Sequence, residues 1–250
     1  MWPFADTGRS GRLRTTLAGV ERWLLPAACL LCDEAFPVRD GDSLICSLCR
    51  MRWRRIPEPQ CNRCGQPQLL PNLACRLCAA WPPGVGRVRS AVWLEGSARD
   101  AVHHLKYEGW TRTAETIARA MTSLEPLTAG VSLIPVPLGR RRQRERGYNQ
   151  SQSIAAALGR LTGLPVRTDL LKRVRETSTQ TALTPEARHA NVAAAFEGAP
   201  ATGLQLVLVD DVFTTGATLA AAAVALCQAG AARVDAVTFA RASQELGARS

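Results

Sequence analysis

LVLVDDVFTTGAT, at residues 206–218, is the segment of the chain that indicates the fold most clearly. Its first four residues form an uninterrupted apolar run, which is typical of a central parallel strand buried on both faces. Two aspartates follow, and a short loop then leads into a helix predicted over residues 218–229 and ended by Gly230. Strand, acidic pair, loop and helix in this order predict a ligand site at the carboxyl end of a parallel sheet.

The loop has the chemistry of a phosphate site. Backbone N–H groups at the start of a helix attract an anion, and three threonine hydroxyls add further donors. Gly216 allows the backbone to approach a ligand closely, and the two carboxylates are suited to hold the vicinal hydroxyls of a ribose. No Gly-Lys-Ser/Thr follows, so this is not a Walker loop. We predict that 5-phosphoribosyl diphosphate (PRPP) is bound by Asp210, Asp211, Thr214, Thr215, Gly216, Ala217 and Thr218.

The sequence divides into three blocks around this site. Residues 1–28 predict an amphipathic helix, residues 29–81 are punctuated by cysteines, and residues 87–250 alternate strand-like and helix-like segments, which is the α/β pattern. Predicted strands cover residues 87–95, 132–136, 165–171, 204–209 and 234–239. Predicted helices cover residues 98–107, 111–124, 149–161, 185–195 and 218–229. Trp81-Pro82-Pro83-Gly84 marks the boundary before the α/β domain.

Eight of the nine cysteines form four Cys-x-x-Cys pairs within the first third of the chain. Two such pairs supply the four thiolates of one tetrahedral zinc, so eight ligands predict two structural zinc sites. A redox role needs a thioredoxin-like context that is missing here. Sequential pairing gives a double zinc ribbon, and cross-braced pairing uses the same ligands alternately; both remain open. Cys227 is predicted to be a core residue, and the ligands are Cys29, Cys32, Cys46, Cys49, Cys61, Cys64, Cys75 and Cys78.

The chain carries a formal net charge of +10, and nearly all its cations are arginines, which suits phosphorylated or polyanionic partners. Four arginines surround Trp53 in residues 50–55. Such a stretch binds single-stranded nucleic acid through phosphate contacts and base stacking, or it forms a solvated face with Trp53 packed inward. No apolar run is long enough to span a membrane, so we expect a cytoplasmic protein without an integral membrane segment.

Several motifs together resemble the ComF family of competence-associated proteins, over nearly the whole length of the chain. They are the cysteine knuckles with CNRCG (61–65), HLKY (104–107), PVPL (135–138) leading to RGYNQ (146–150), residues 173–183, and VDDVFTTGAT (209–218). The resemblance implies a type I phosphoribosyltransferase fold, with a Rossmann-like parallel sheet, preceded by a small double zinc-ribbon domain.

The resemblance also implies roles for residues outside the phosphate loop. The segment 138–150 corresponds to the family's pyrophosphate loop, and the segment around residues 173–191 to its flexible lid. Mg²⁺ is expected with PRPP, and Asp210 and Asp211 are the expected catalytic residues, which would hold the ribose hydroxyls and metal-bound waters. The expected pyrophosphate and lid residues are Lys106, Tyr107, Arg140, Arg141, Arg146, Arg173, Arg175 and Gln180.

Two functions remain open at the level of the sequence. The family resemblance implies a protein of DNA uptake during natural transformation, contacting single-stranded DNA and proteins of uptake or recombination. The alternative is an active phosphoribosyltransferase, transferring to an unidentified nucleobase or amine. No residue pattern identifies an acceptor, and residues for both functions are present.

Overall fold

The computed structural model describes residues 28–35, 44–70, 74–175 and 195–243. Its centre is a parallel sheet of four strands in the order β1-β6-β5-β2. These strands are β1 (Val85–Trp93), β2 (Ser132–Pro135), β5 (Gln205–Phe213) and β6 (Arg233–Arg241). A separate antiparallel pair joins β3 (Leu171–Arg173) to β4 (Phe196–Gly198). The predicted α/β class with a parallel sheet is confirmed.

Helices cover both faces of the sheet. They are α1 (Ser47–Met51), α2 (Gly96–Tyr107), α3 (Thr113–Met121), α4 (Arg140–Arg146), α5 (Gln150–Thr162) and α6 (Ala217–Gln228). Helices α2, α3 and α5 pack on one face, and α6 packs on the other together with β3 and β4. The sheet is therefore the middle layer of a three-layer α/β domain.

Strand β5 shows why the apolar run is continuous. Val207 and Val209 enter the core formed with α2, α3 and α5, whereas Leu206 and Leu208 enter the core formed with α6. Successive side chains of a strand point to opposite faces, so a strand covered on both sides needs apolar residues at every position.

The cysteine-rich block lies along β1, which is an edge strand of the four-stranded sheet. Arg55 forms a β-bridge with Val92, and the N–H groups of Trp93 and Val88 donate to the carbonyls of Arg54 and Arg63. The block thus satisfies backbone groups that an edge strand otherwise leaves open to pairing with another chain.

Some predicted elements differ from the structure. The arginine-rich segment at 140–146 is a helix rather than part of an open loop, and it ends at Gly147, whose φ is 76°. Of the strand predicted at residues 165–171, the structure has a single bridge between Val166 and Leu133, with β3 beginning only at Leu171. The predicted helices at residues 1–28 and 185–195 lie outside the described residues, apart from Ala28 and Ala195. No described helix is long and apolar enough to cross a bilayer.

Candidate functional site at the end of strand β5

Two adjacent carboxylates lie near the end of β5. Asp210 Oδ1 accepts a hydrogen bond from Ser151 Oγ at 2.7 Å and another from the Asp211 backbone N–H at 2.9 Å. Burial, and then the charge of Asp211, raise the pKa of Asp210 to about 7. A cation bound beside Asp210 would favour its ionised form, so the pair has the electrostatics of a cation site.

Asp211 is buried and lies in a network drawn from separate elements. Lys106 Nζ is 2.5 Å from its Oδ2, and Gln150 Nε2 donates to its Oδ1 at 3.4 Å. Arg146 Nη1 in turn donates to Gln150 Oε1 at 2.9 Å. Lys106 therefore contacts Asp211 directly, and Arg146 is linked to Asp211 through Gln150.

Local sequence explains how these groups meet. The Asn149 side chain accepts from the N–H groups of Ser151 and Gln152, which starts α5, and its Nδ2 donates to the Val136 carbonyl at 3.0 Å. This capping fixes the first turn of α5 after β2 and directs Gln150 and Ser151 toward β5. The Tyr148 hydroxyl donates to the Leu105 carbonyl, next to Lys106. Sequence reasoning missed the contacts of Gln150 and Ser151; the only local signal was their position just after an N-cap asparagine.

The phosphate loop follows directly. Gly216 has φ of 79° and is the N-cap of α6, so the helix begins on a left-handed residue without a side chain. A Cβ at this position would lie 2.3 Å from Trp81 Cζ2 and 2.9 Å from Phe213 Cε2, which excludes any larger residue. Thr214 and Thr215 are exposed, and Ala217 and Thr218 are half-buried. The loop therefore rests on an aromatic support and presents its hydroxyls to solvent.

The remaining predicted site residues fall into two groups. Tyr107 is exposed at the end of α2, next to Lys106, with the Arg146 guanidinium 4.9 Å from its ring centre. Arg140 and Arg141, by contrast, lie on the exposed surface of α4, where Arg141 pairs with Glu145 at 2.7 Å.

The predicted lid residues fall around the β3–β4 pair. Arg173 ends β3, with its guanidinium 5.2 Å from the Phe196 ring centre, and its Nε donates to the carbonyl of the exposed Arg175. Gln180 lies outside the described residues. The structure therefore places the two arginines at the base of the connection between β3 and β4, and no contact between them and the acidic pair is among the described interactions.

The eight paired cysteines form two compact clusters. In each, the four sulfurs lie within 4.8 Å of one another, as four ligands of one metal require. Burial and the neighbouring thiols raise the pKa of Cys49 well above its usual range, so an added cation is needed to hold all four as thiolates. The pairing is sequential, which resolves the alternative left open by the sequence: Cys29, Cys32, Cys46 and Cys49 form zinc site 1, and Cys61, Cys64, Cys75 and Cys78 form zinc site 2.

A cleft of about 1020 Å³ lies between the first zinc ribbon, α3 and α5. Trp53 lines it but is only 8% exposed, and it packs edge-on against Phe239 with ring centres 4.9 Å apart. Trp53 is therefore packed inward and offers no face for stacking. Five arginines also line the cleft, and Glu115 pairs with two of them; the five are Arg50, Arg55, Arg112, Arg119 and Arg160.

Comparison with known proteins agrees with these features. A family model described as a double zinc ribbon domain matches residues 20–80. The DNA utilization protein YhgH of Escherichia coli (strain K12) is 33% identical over 220 residues, covering 84% of this chain and 95% of the relative. Competence protein ComFC of Bacillus subtilis (strain 168) is 28% identical over 236 residues, covering 85% and 94%.

Among solved structures, the allosteric regulatory enzyme of purine biosynthesis matches 50% of this chain and 25% of its own, with 21% identity. The TM-score is 0.34, so no inference about function is drawn from that similarity. The predicted double zinc ribbon itself is confirmed by the family match together with the two cysteine clusters.

The clusters predict a defined zinc stoichiometry. Cys49→Ser is expected to reduce bound zinc from two ions per chain to one, because it removes one of four ligands from zinc site 1. Cys227→Ser is the matched control, since Cys227 lies outside both clusters, with its Sγ donating to the Gly84 carbonyl. Native mass spectrometry measures both; two zinc ions retained by Cys49→Ser would contradict the assignment.

Proposed function

This chain belongs to the ComF family, and we propose that its α/β domain binds PRPP together with Mg²⁺, in a protein that acts in the use of incoming DNA. The observation that carries the ligand assignment is the juxtaposition of the acidic pair, the cation Lys106 and the glycine-capped loop. The names of the relatives, a DNA utilization protein and a competence protein, support the DNA-related role.

The residues present fit Mg·PRPP. Hard cations prefer carboxylate and hydroxyl oxygens, and Asp210 and Asp211 supply carboxylates at a position where positive charge is already favoured. The 5-phosphate suits the N-terminus of α6, where the exposed hydroxyls of Thr214 and Thr215 add donors. When bound, Mg²⁺ would supply neutralisation of the pyrophosphate charge.

Lys106 and Arg146 supply positive charge from the chain itself. Lys106 balances Asp211 in this structure, and its flexible side chain can turn toward a pyrophosphate oxygen. Asp211 would then be free to accept hydrogen bonds from ribose hydroxyls or from metal-bound water. Arg146 is held by Gln150 and Tyr107, so its charge stays near the site without a large ordering cost.

The alternative is an active phosphoribosyltransferase. Departure of pyrophosphate builds negative charge on the leaving group, which Lys106 and Arg146 are placed to stabilise. The β3–β4 pair at the base of the predicted lid would help to exclude water during that step, with Arg173, Arg175 and Gln180 as its proposed contacts. The acceptor, a nucleobase or an amine, is identified by no side chain. For this reason ligand binding is the leading proposal, and transfer is the alternative.

Contact with single-stranded DNA is proposed for the arginine-rich surfaces. Helix α4 has no buried residue and presents Arg140, Arg141 and Arg142 to solvent near the site. Phosphate contacts of this kind provide affinity without reading sequence. We further propose a cytoplasmic location and contacts with proteins of DNA uptake or recombination, in keeping with the names of the relatives.

The acidic pair gives the first test. Asp210→Asn and Asp211→Asn should each weaken Mg·PRPP binding by about 10- to 100-fold, the size expected for loss of charge-assisted contacts. If the protein is a transferase, the double variant should also abolish pyrophosphate release. Asp169→Asn is the control, because Asp169 is exposed and paired with Arg167.

Equilibrium binding and pyrophosphate release separate the two functions. Wild-type protein that binds Mg·PRPP but releases no pyrophosphate with any nucleobase or amine would contradict the transferase alternative. Unchanged binding in both aspartate variants would contradict the site itself.

The DNA proposal predicts salt-dependent binding. Replacing Arg140, Arg141 and Arg142 with alanine should weaken binding to single-stranded DNA and lower the slope of log K against log[salt] by about 2, at about 0.7 for each lost phosphate contact. Alanine at Arg87, Arg167 and Arg233 removes the same charge from other surface ion pairs and should leave the slope nearly unchanged. Fluorescence anisotropy measures both, and salt-insensitive binding would contradict this role.

A further inference from the structure

A fully buried arginine lies between zinc site 2 and the phosphate loop. Arg241 ends β6, and it is only 1% exposed. Its Nη2 donates to the Cys64 backbone carbonyl at 2.6 Å, whereas Nε and Nη1 are buried without a hydrogen-bond partner. A buried cation that is neither paired nor fully hydrogen-bonded is strongly unfavourable. The charge of Arg241 therefore requires compensation from a nearby group.

The compensating group is found in zinc site 2. Within the described part of the chain, Arg241 has no carboxylate ion-pair partner. Its hydrogen bond to the Cys64 carbonyl places the guanidinium directly beside a ligand residue of zinc site 2. A zinc ion with four thiolate ligands carries a doubly negative formal charge. Arg241 and the metallated cluster are thus a cation and an anion that compensate one another in a buried setting.

The same arginine supports the phosphate loop. The guanidinium carbon of Arg241 lies 4.0 Å from the ring centre of Phe213, the last residue of β5 before the loop. Phe213 is itself 1% exposed and packs beneath Gly216. A cation over an aromatic face is attracted by the ring quadrupole, more strongly when it is desolvated. Arg241 therefore stabilises the position of the Phe213 ring.

A second contact joins the zinc block to the loop. Trp81 follows the last ligand of zinc site 2 by three residues and lies against Gly216. Arg63, in the first knuckle of the same site, donates to the carbonyls of Cys78 and Trp81, both at 3.2 Å. The position of Trp81 thus depends on the folded second ribbon. Among the described residues, the three atoms nearest to a Cβ at Gly216 belong to Trp81 and Phe213, and none belongs to the first ribbon.

We propose that Arg241 is a positioning residue that couples zinc site 2 to the phosphate loop, so that loop order depends on the second zinc and not on the first. Loss of zinc from site 2 leaves the Arg241 charge uncompensated and releases the Phe213 and Trp81 supports under Gly216. The consequence for Mg·PRPP affinity rests on the proposed function, whereas the consequences for zinc retention and loop order do not.

Zinc release from the full-length, two-zinc protein tests the charge pairing. Arg241→Met should accelerate release of one of the two zinc ions to a chromogenic chelator by about 10- to 100-fold, the usual effect of removing a partner outside the ligand shell. Arg241→Lys keeps the charge and should restore much of the retention. Arg233→Met is the control, since Arg233 lies on the same strand but is half exposed and paired with Asp235. Wild-type release rates for both zinc ions in Arg241→Met would overturn the charge pairing.

Hydrogen exchange of the loop tests the coupling with variants other than Arg241→Met. The coupling can therefore be tested even if Arg241→Met fails to fold. Cys75→Ser and Cys32→Ser each remove one half-buried ligand, from zinc site 2 and zinc site 1 respectively. Amides of residues 213–218 should exchange at least about tenfold faster in Cys75→Ser, because local opening becomes easier. They should keep wild-type rates in Cys32→Ser.

Equal exchange of residues 213–218 in Cys75→Ser and Cys32→Ser would overturn the proposal. Titration with Mg·PRPP completes the series: Cys75→Ser should bind more weakly than Cys32→Ser. If the wild-type protein binds no PRPP, the proposed function fails, while zinc release and exchange still decide the coupling.

Discussion

Two adjacent carboxylates near the end of β5, Asp211 buried and Asp210 half-buried, organise the groups around them. Desolvation and mutual repulsion favour protonation of Asp210, so the fold must supply positive charge and donors for the pair to hold charge. Ser151 and the backbone supply donors to Asp210, and Lys106 supplies the cation to Asp211. Ser151 lies on α5 and Lys106 on α2, two helices from different parts of the chain. The layered α/β fold therefore brings these side chains together at the end of β5.

The zinc block is part of the same structure rather than an appended module. Its backbone pairs with the edge strand β1, and its two ribbons enter the two cores on opposite faces of the sheet. Because the eight metal ligands lie within this short block, metal ligation is expected to provide much of its folding energy. Trp81 connects the second ribbon to Gly216 directly, and Arg241 connects it to Phe213 beneath Gly216. The proposed phosphate site and the second zinc site thus share structural supports.

Sequence alone predicted the features that depend on local order. The apolar run, the acidic pair and the glycine loop are contiguous, and the structure has them as strand, acids, loop and helix at residues 205–228. The cysteine spacing predicted two zinc sites but not their pairing, since pairing depends on how the knuckles approach in space. The family resemblance assigns residues 138–150 to a pyrophosphate loop, yet residues 140–146 form an exposed helix ended by Gly147.

The features that sequence missed join distant segments. Arg241 and Cys64 are 177 positions apart, and nothing in either neighbourhood indicates that they meet. The roles of Ser151 and Gln150 depend on the angle at which α5 leaves its cap. Arg146, which the family resemblance assigns to the pyrophosphate loop, contacts Gln150 rather than the acids directly.

We propose that the acidic pair and the loop form one Mg·PRPP site. Calorimetric titration of the two-zinc protein with PRPP, in the presence and absence of Mg²⁺, tests it most directly. We expect one site per chain, binding that requires Mg²⁺, and weaker binding of ribose 5-phosphate, which lacks the pyrophosphate. Absence of binding heat with PRPP and Mg²⁺, or equal affinity for PRPP with and without Mg²⁺, would contradict it.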